Sequence, residues 1–224
     1  MTFKNRPNEQ ITTTDGREFF ISRSAAVIPQ IYCLVGPWGK QEPFILVNKR
    51  GPSCPDHVGK WALPCGYLDW DESAKQATRR EIWEECDFDL ILISSNDIVF
   101  SLFNWALITN PEKDARQNIL IHMTQVFTRS QLPPITKEPD DETSDVAWMS
   151  VKEALETDFA FGHQYNIYCC LQHLHKKSLA WPEPSPVPWH DPACFTSLPD
   201  LFQEAIINAP ESVRTSQKVL TFND

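Results

Sequence analysis

"GYLDWDESAKQATRREIWEECDF" occupies residues 66–88. From Glu72 to Cys86 it contains no Pro or Gly and is built from good helix formers, so it reads as a helix over 72–86. Asp71 stands where an N-cap belongs. At 3.6 residues per turn, Glu81, Glu84 and Glu85 emerge on one face within a few ångströms of each other. Like charges at that spacing weaken a helix. Either the face is plain solvated surface, or a cation sits on it. Clustered carboxylates are hard oxygen donors and favour Mg²⁺, Mn²⁺ or Ca²⁺ over softer metals.

The chain around this stretch has 224 residues, of which 42% are hydrophobic, enough for one ordinary domain with an appendage. A formal net charge of −10 argues against nucleic-acid binding through a basic face and against anionic membranes. No run approaches the roughly 20 apolar residues that span a bilayer. The polar start "MTFKNRPNEQITTTDG" lacks the apolar region of a secretory signal. With no export signal, the seven cysteines, odd in number and without a CxxC pair, are expected as reduced thiols in the cytoplasm. Cys54, His57 and Cys65 lack a fourth ligand at zinc spacing.

Residues 1–18 read as a polar lead-in. "FFISRSAAVIPQIYCLVG" (19–36) and "FILVNKR" (44–50) are rich in β-branched and aromatic residues and predict a hairpin of strands around "PWGKQEP". "GPSCPDHVGK" (51–60) is a loop. "LILIS" (90–94), "IVFSLFNWALIT" (98–109) and "ILIHMTQVFT" (119–128) read as strands, with "NPEKDARQN" (110–118) a polar hairpin connection. "SQLPPITKEPDDETSD" (130–145) is a long acidic loop with three prolines, and loops of that length are often functional. "VAWMSV" (146–151) is expected to be the last strand, followed by helices at "VKEALE" and "GHQYNIYCCLQHLHKK" (162–177). This order predicts an α+β class, an α/β/α sandwich with a mixed sheet packed between helices. Residues 178–224 form a tail. Five prolines in residues 179–192 predict extended chain, and "LPDLFQEAIINA" (198–209) one helix.

The spacing of the opening stretch is specific. Gly66 is followed by five residues and Glu72; seven more precede Arg80-Glu81-Ile82, then one residue and Glu84-Glu85. This resembles the Nudix box, the motif of Nudix hydrolases: Gly, five residues, Glu, seven residues, Arg-Glu, an aliphatic, any residue, Glu-Glu, any residue, Gly, an aliphatic. Chance produces such a run in a chain this long less than about once in 10⁵. "KWALPCG" (60–66) is similar to the strand that enters the family motif, and "DETSDVAWMSVKEAL" (141–155) to a late strand. The resemblance covers roughly 19–177. It departs at Asp87, which replaces the closing Gly, with Phe88 after it. That Gly ends the helix in a left-handed conformation, which Asp adopts at modest cost, so the change reads as a tolerated cap. It departs again at Cys65, where the family usually has Gly and where the backbone carbonyl often joins the metal shell.

The resemblance implies a Nudix fold and hydrolysis of a nucleoside diphosphate linked to another moiety, with Mg²⁺ or Mn²⁺ as cofactor. It assigns Glu81, Glu84 and Glu85 to the metals and leaves the general base open between Glu81 and a late-loop residue. In that loop Glu142 stands first, with Asp141 or Glu138 behind it. Gly66, Glu72 and Arg80 are motif residues, the last two read equally as a structural brace. Lys49, Arg50 and, more weakly, Arg23 are candidate donors to phosphate oxygens. Phe103, Trp105 and Trp148 could clamp a base, although core packing suits each better. Subfamily marks downstream of the box support no single substrate: ADP-ribose, nucleotide-sugar and dinucleotide types stay open, with a nucleoside triphosphate or an RNA 5′-cap as alternatives. A catalytically idle nucleotide-sensing module is a further reading. The expected partner is a small nucleotide, and a homodimer is compatible with the sequence.

Overall fold

The computed structural model describes residues 9–21, 25–37, 40–69, 72–109, 119–179, 202–215 and 219–221. A small hairpin, β1 (Glu9–Thr12) and β2 (Glu18–Ile21), lies inside and just beyond the stretch read as a polar lead-in. The main sheet holds β3 (Ala25–Val35), β4 (Glu42–Arg50), β5 (Trp61–Ala62), β6 (Gly66–Tyr67), β7 (Ile98–Thr109), β8 (Ile119–Arg129), β9 (Thr143–Ser150) and β10 (Val219–Thr221). Its order is β10-β7-β8-β3-β4-β5, with β6 pairing β3 and β9 pairing β4. The β3–β8 pair is parallel, from Ala25 opposite Ile119 to Val35 opposite Arg129, and the other pairs are antiparallel. The sheet is therefore mixed, as expected for an α+β sandwich.

Two cores lie on its two faces, because alternate strand residues point to opposite sides. Ile31 and Cys33 of β3, Leu46 of β4 and Val146 of β9 meet helix α1 (Ala74–Cys86) through Ile82 and Cys86. Ile28, Tyr32 and Leu34, with Ile45 and Val47, meet α2 (Val151–Glu156) and α3 (His163–Leu179) on the other face. Phe202, on helix α4 (202–208), joins that second core with Ala209 and with Val213 of α5 (Glu211–Arg214). The Phe202 ring stands edge-on to Tyr32, centroids 5.9 Å apart.

Three expectations need correction. The first cap of α1 is Ser73, not Asp71: its hydroxyl accepts from the Gln76 N–H while the Gln76 side chain accepts from the Ser73 N–H. That reciprocal box satisfies two orphan donors, and Ser73-x-x-Gln76 was its sequence signal; Asp71 itself lies outside the described residues. "LILIS" is not a strand. Asp89 caps the Ile91 N–H and closes a 3-10 turn over Leu90–Leu92, leaving Ile91 and Leu92 exposed. The third is that 146–151 does not hold the last strand: β9 begins at Thr143, Ser150 caps α2, and β10 follows far downstream on the edge of β7. The expected connection 110–118 and the proline-rich run 180–200 lie outside the described residues.

Because Phe202 is buried against Tyr32, Phe202→Ala removes a ring from a closed core. Unfolding free energy should fall by about 3–5 kcal/mol in urea or guanidinium titration. A loss under about 0.5 kcal/mol would show that α4 does not belong to the core.

Candidate active site

The acidic face of α1 is organised by one cation of the chain itself. Arg80 is buried, and every side of its guanidinium is used. Its Nη2 and Nε donate to Glu72 Oε1 and Oε2 at 2.6 and 3.1 Å, a forked pair. Its Nη1 donates to Glu81 Oε1 at 2.5 Å and to Glu84 Oε2 at 3.1 Å, and Nη2 also to the Tyr67 carbonyl at 2.9 Å. Burial opposes the Arg80 charge, and Glu72 and Glu81 outweigh it, so the group stays protonated. Glu72 in turn accepts from the Asp69 N–H at 2.6 Å. The loop ahead of α1 is thereby tied to the middle of the helix.

Gly66 is required by the same cluster. A Cβ there would run into the Glu81 carboxylate. Glu81 is 7% exposed, and desolvation pushes its carboxyl upward against the pull of Arg80. Glu85 Oε2 accepts from Asn48 Nδ2 at 3.1 Å and from the Cys65 N–H at 3.0 Å. Desolvation pushes Glu85 well above the usual carboxylate range, with the Glu81 charge adding to it and Glu142 contributing less. Glu84, by contrast, has a side chain 41% exposed. Trp83, at the free position of the motif, is 50% exposed.

The rest of the site comes from the end of β4 and two loops. A bulge between Lys49 and Arg50 breaks the β4–β9 register just before Gly51, a device that re-aims side chains. Lys49 lies over the Trp61 ring, 5.7 Å from its centroid. Arg50 is held by Asp56 (Nη2 to Oδ1, 2.9 Å; Nε to the carbonyl, 3.0 Å) and lies 4.9 Å from the Phe161 ring centroid. Its charge still reaches Glu85. Gly51 packs directly against the Asp141–Glu142 backbone, its N–H donating to the Glu142 carbonyl at 2.7 Å. Glu142 is exposed, with Asp140 Oδ1 accepting from its N–H at 2.9 Å. Thus the charges of Glu81, Arg50 and, more weakly, Glu142 all reach Glu85. Asp141 and Glu138 are also exposed on that loop. Arg23 lies outside the described residues, as do the side chains of Phe103 and Trp105. Trp148 stacks edge-on with Phe88 and Phe127 on the α1 side of the sheet.

Asn48 was missed by the sequence reading. Its signal was a polar residue inside the apolar run "FILVNKR", at an inward position. It is 3% exposed, and its Oδ1 has no partner among the described residues. This orphaned buried oxygen, on a side chain bonded to Glu85, whose carboxyl is raised by burial and by the Glu81 charge, is the donor chemistry a hard divalent cation satisfies. Among the described residues no three acidic, histidine or cysteine side chains are gathered on a single point, because Arg80 draws Glu81 and Glu84 to itself.

His163, at the start of α3, supports the entry to the motif. Its Nδ1 accepts from the Leu63 N–H at 3.0 Å. Burial, then the Arg50 and His57 charges, pull it down to about 3; burial, then His163, pull His122 down to about 3. An unfolded histidine titrates near 6.5. The unfolded chain therefore binds protons that the native one does not. The stability from these neutral histidines is complete above about pH 6.5 and is lost as pH falls toward 3. The raised carboxyls of Glu81 and Glu85 act in the opposite sense, so a variant isolates the histidine. Tm differences between the wild type and His163→Asn should narrow steadily from pH 7 to pH 4.5. A constant difference would mean that His163 is not held neutral.

A family model described as the NUDIX domain matches residues 31–168. Among solved structures, a mutT/nudix family protein from Listeria innocua aligns at 22% identity and a TM-score of 0.52, covering 70% of this chain and 98% of its own. Shewanella oneidensis NrtR, solved with a 27mer DNA, aligns at 19% identity and a TM-score of 0.51, covering 86% of this chain and 81% of its own. No curated protein matches the chain.

Proposed function

The chain belongs to the Nudix hydrolase family, whose members act on pyrophosphate bonds, and from that premise we propose that it cleaves a nucleoside diphosphate linked to a second moiety. The substrate classes are ADP-ribose, a nucleotide sugar or a dinucleotide. One observation supports the reading: every acidic residue of the motif is present, Glu81 and Glu85 are desolvated, and the Arg50 and Glu142 charges reach Glu85.

Glu81, Glu84 and Glu85, with the Cys65 carbonyl, would hold Mg²⁺ or Mn²⁺. When bound, such an ion neutralises charge building on phosphoryl oxygens and makes water more acidic. Arg50 and Lys49 bind the phosphate oxygens from the end of β4. Arg50 has one forked face on Asp56 and an apolar face on Phe161, so its orientation costs the substrate little entropy. Glu142 takes the proton of the attacking water. It is exposed and close enough to raise Glu85, whereas Glu81 is committed to Arg80. Glu72 and Arg80 act as the brace that sets the loop–helix joint. No helix among the described residues is long and apolar enough to cross a membrane.

The second reading is a sensing module without turnover. NrtR, solved with a 27mer DNA, aligns over 86% of this chain against 70% for the Listeria protein. That likeness is one of fold alone, and the net charge of −10 weighs against a DNA-binding face.

A panel of ADP-ribose, nucleotide sugars, dinucleoside polyphosphates and nucleoside triphosphates with Mg²⁺ or Mn²⁺ tests both readings through released mononucleotide or phosphate. Glu84→Gln and Glu85→Gln should each lower kcat by about 100-fold or more, and chelation should abolish turnover. Full activity in both variants would sink the metal assignment. Saturable nucleotide binding without product, joined to salt-dependent DNA binding, would select the sensor.

A further inference from the structure

Asp87 is the position at which the helix motif departs from its usual glycine, and its side chain is engaged. The residue ends α1 in the left-handed region at φ 52°, ψ 31°, where its N–H donates to the Trp83 carbonyl. Its Oδ2 accepts from the Thr136 hydroxyl at 2.9 Å. One residue on, Lys137 Nζ donates to the Glu84 carbonyl at 2.8 Å, where a cation complements the C-terminal end of the helix dipole. The same ammonium pairs with Asp140 Oδ2. Asp140 Oδ1 accepts from the N–H groups of Glu142, at 2.9 Å, and Thr143, at 2.7 Å. Partial burial raises the Asp140 carboxyl, but the Lys137 ammonium and these N–H groups together outweigh it and hold it below its usual range. The contacts run without a gap from the last residue of the helix to Glu142. On its far side the loop is pinned by the Gly51 N–H and by Ser53 Oγ, which donates to the Asp141 carbonyl at 2.8 Å.

We infer that Asp87 is a positioning residue: through Thr136, Lys137 and Asp140 it latches the 130–142 loop to the end of α1 and sets Glu142 beside Glu85. Glycine at this place caps the helix and does nothing more. Aspartate caps it at a small conformational cost and adds an anchor that a glycine cannot supply. The loop carries three prolines and few buried side chains, so a point of attachment at its middle decides where its end lies. The inference rests on the assignment of proton acceptance to Glu142.

Asp87→Gly separates cap from latch, because glycine enters the left-handed region freely. Amide hydrogen exchange over residues 135–142 should quicken several-fold, by about 5–10 times for loss of one such bond, while exchange in α1 and the Tm stay level or improve. On the substrate identified by the panel, kcat should fall by a similar factor with KM within about twofold. Asp87→Asn keeps both the left-handed preference and an acceptor oxygen and should restore both readouts. Thr136→Val should match Asp87→Gly, and the double variant should lose no more than either alone. Unchanged loop exchange in Asp87→Gly would overturn the latch. Faster exchange with an unchanged kcat would overturn its positioning role. Faster exchange in a protein that turns over nothing on the panel would leave the latch standing and remove the hydrolytic reading instead.

Discussion

The Arg80 guanidinium is the interaction on which the site depends. It is a buried cation surrounded by Glu72, Glu81, Glu84 and the Tyr67 carbonyl. A planar fork with five donors can meet that many acceptors at once, and a lysine cannot. Removing one member of such a group leaves the others charged and poorly hydrated, which costs several kcal/mol where replacing the whole set with apolar residues would not. The arrangement is therefore a weak source of stability and a strong source of geometry. It fixes Tyr67 and Glu72 to the helix, seats Glu81 under Gly66, and holds the half-exposed Glu84 at the edge of the cluster.

Around that centre, each neighbouring segment is tied by a small number of specific contacts. β4 contributes Asn48 to Glu85 and ends in a bulge that separates Lys49 from Arg50. The 51–60 loop returns Asp56 to Arg50. His57 and Phe161 are both in the left-handed region and meet edge to face, with the Arg50 guanidinium over the Phe161 ring. Bulky residues held at positive φ are strained and persist where the surroundings over-determine them. Here they pack beside Arg50 and leave it little freedom. The late loop is bonded to Gly51 and Ser53 on one side and to the end of α1 on the other.

Much of this was legible in the chain. The glutamates at 81, 84 and 85 share a face because an α-helix repeats every 3.6 residues, and the interval back to Gly66 and Glu72 was specific enough to name a family. Strands β3, β4, β7 and β8 followed from β-branched and aromatic runs bounded by turns. "LILIS" misled because four apolar residues in a row carry no period of their own, and Asp89 capped Leu90–Leu92 into a turn. Ser73 was passed over for Asp71 because a single-residue cap preference is weaker than a reciprocal box. Asn48 stood in plain view as a polar residue in an apolar strand, but its role depended on which residue of α1 would lie across from it.

The sequence by itself determined that one helix face carries clustered carboxylates, that a glycine precedes it at a fixed interval, and that an aspartate ends it. Those are local facts, set by helical period and backbone preference. Only the tertiary structure decided that Arg80 claims Glu81 and Glu84, that Glu85 is desolvated against Asn48 and the Cys65 N–H, and that Asp87 reaches Thr136, 49 positions along the chain. Each of these joins groups far apart in sequence across a packed boundary. The energy of a buried charge depends on what surrounds it in three dimensions, and no pattern along the chain records that.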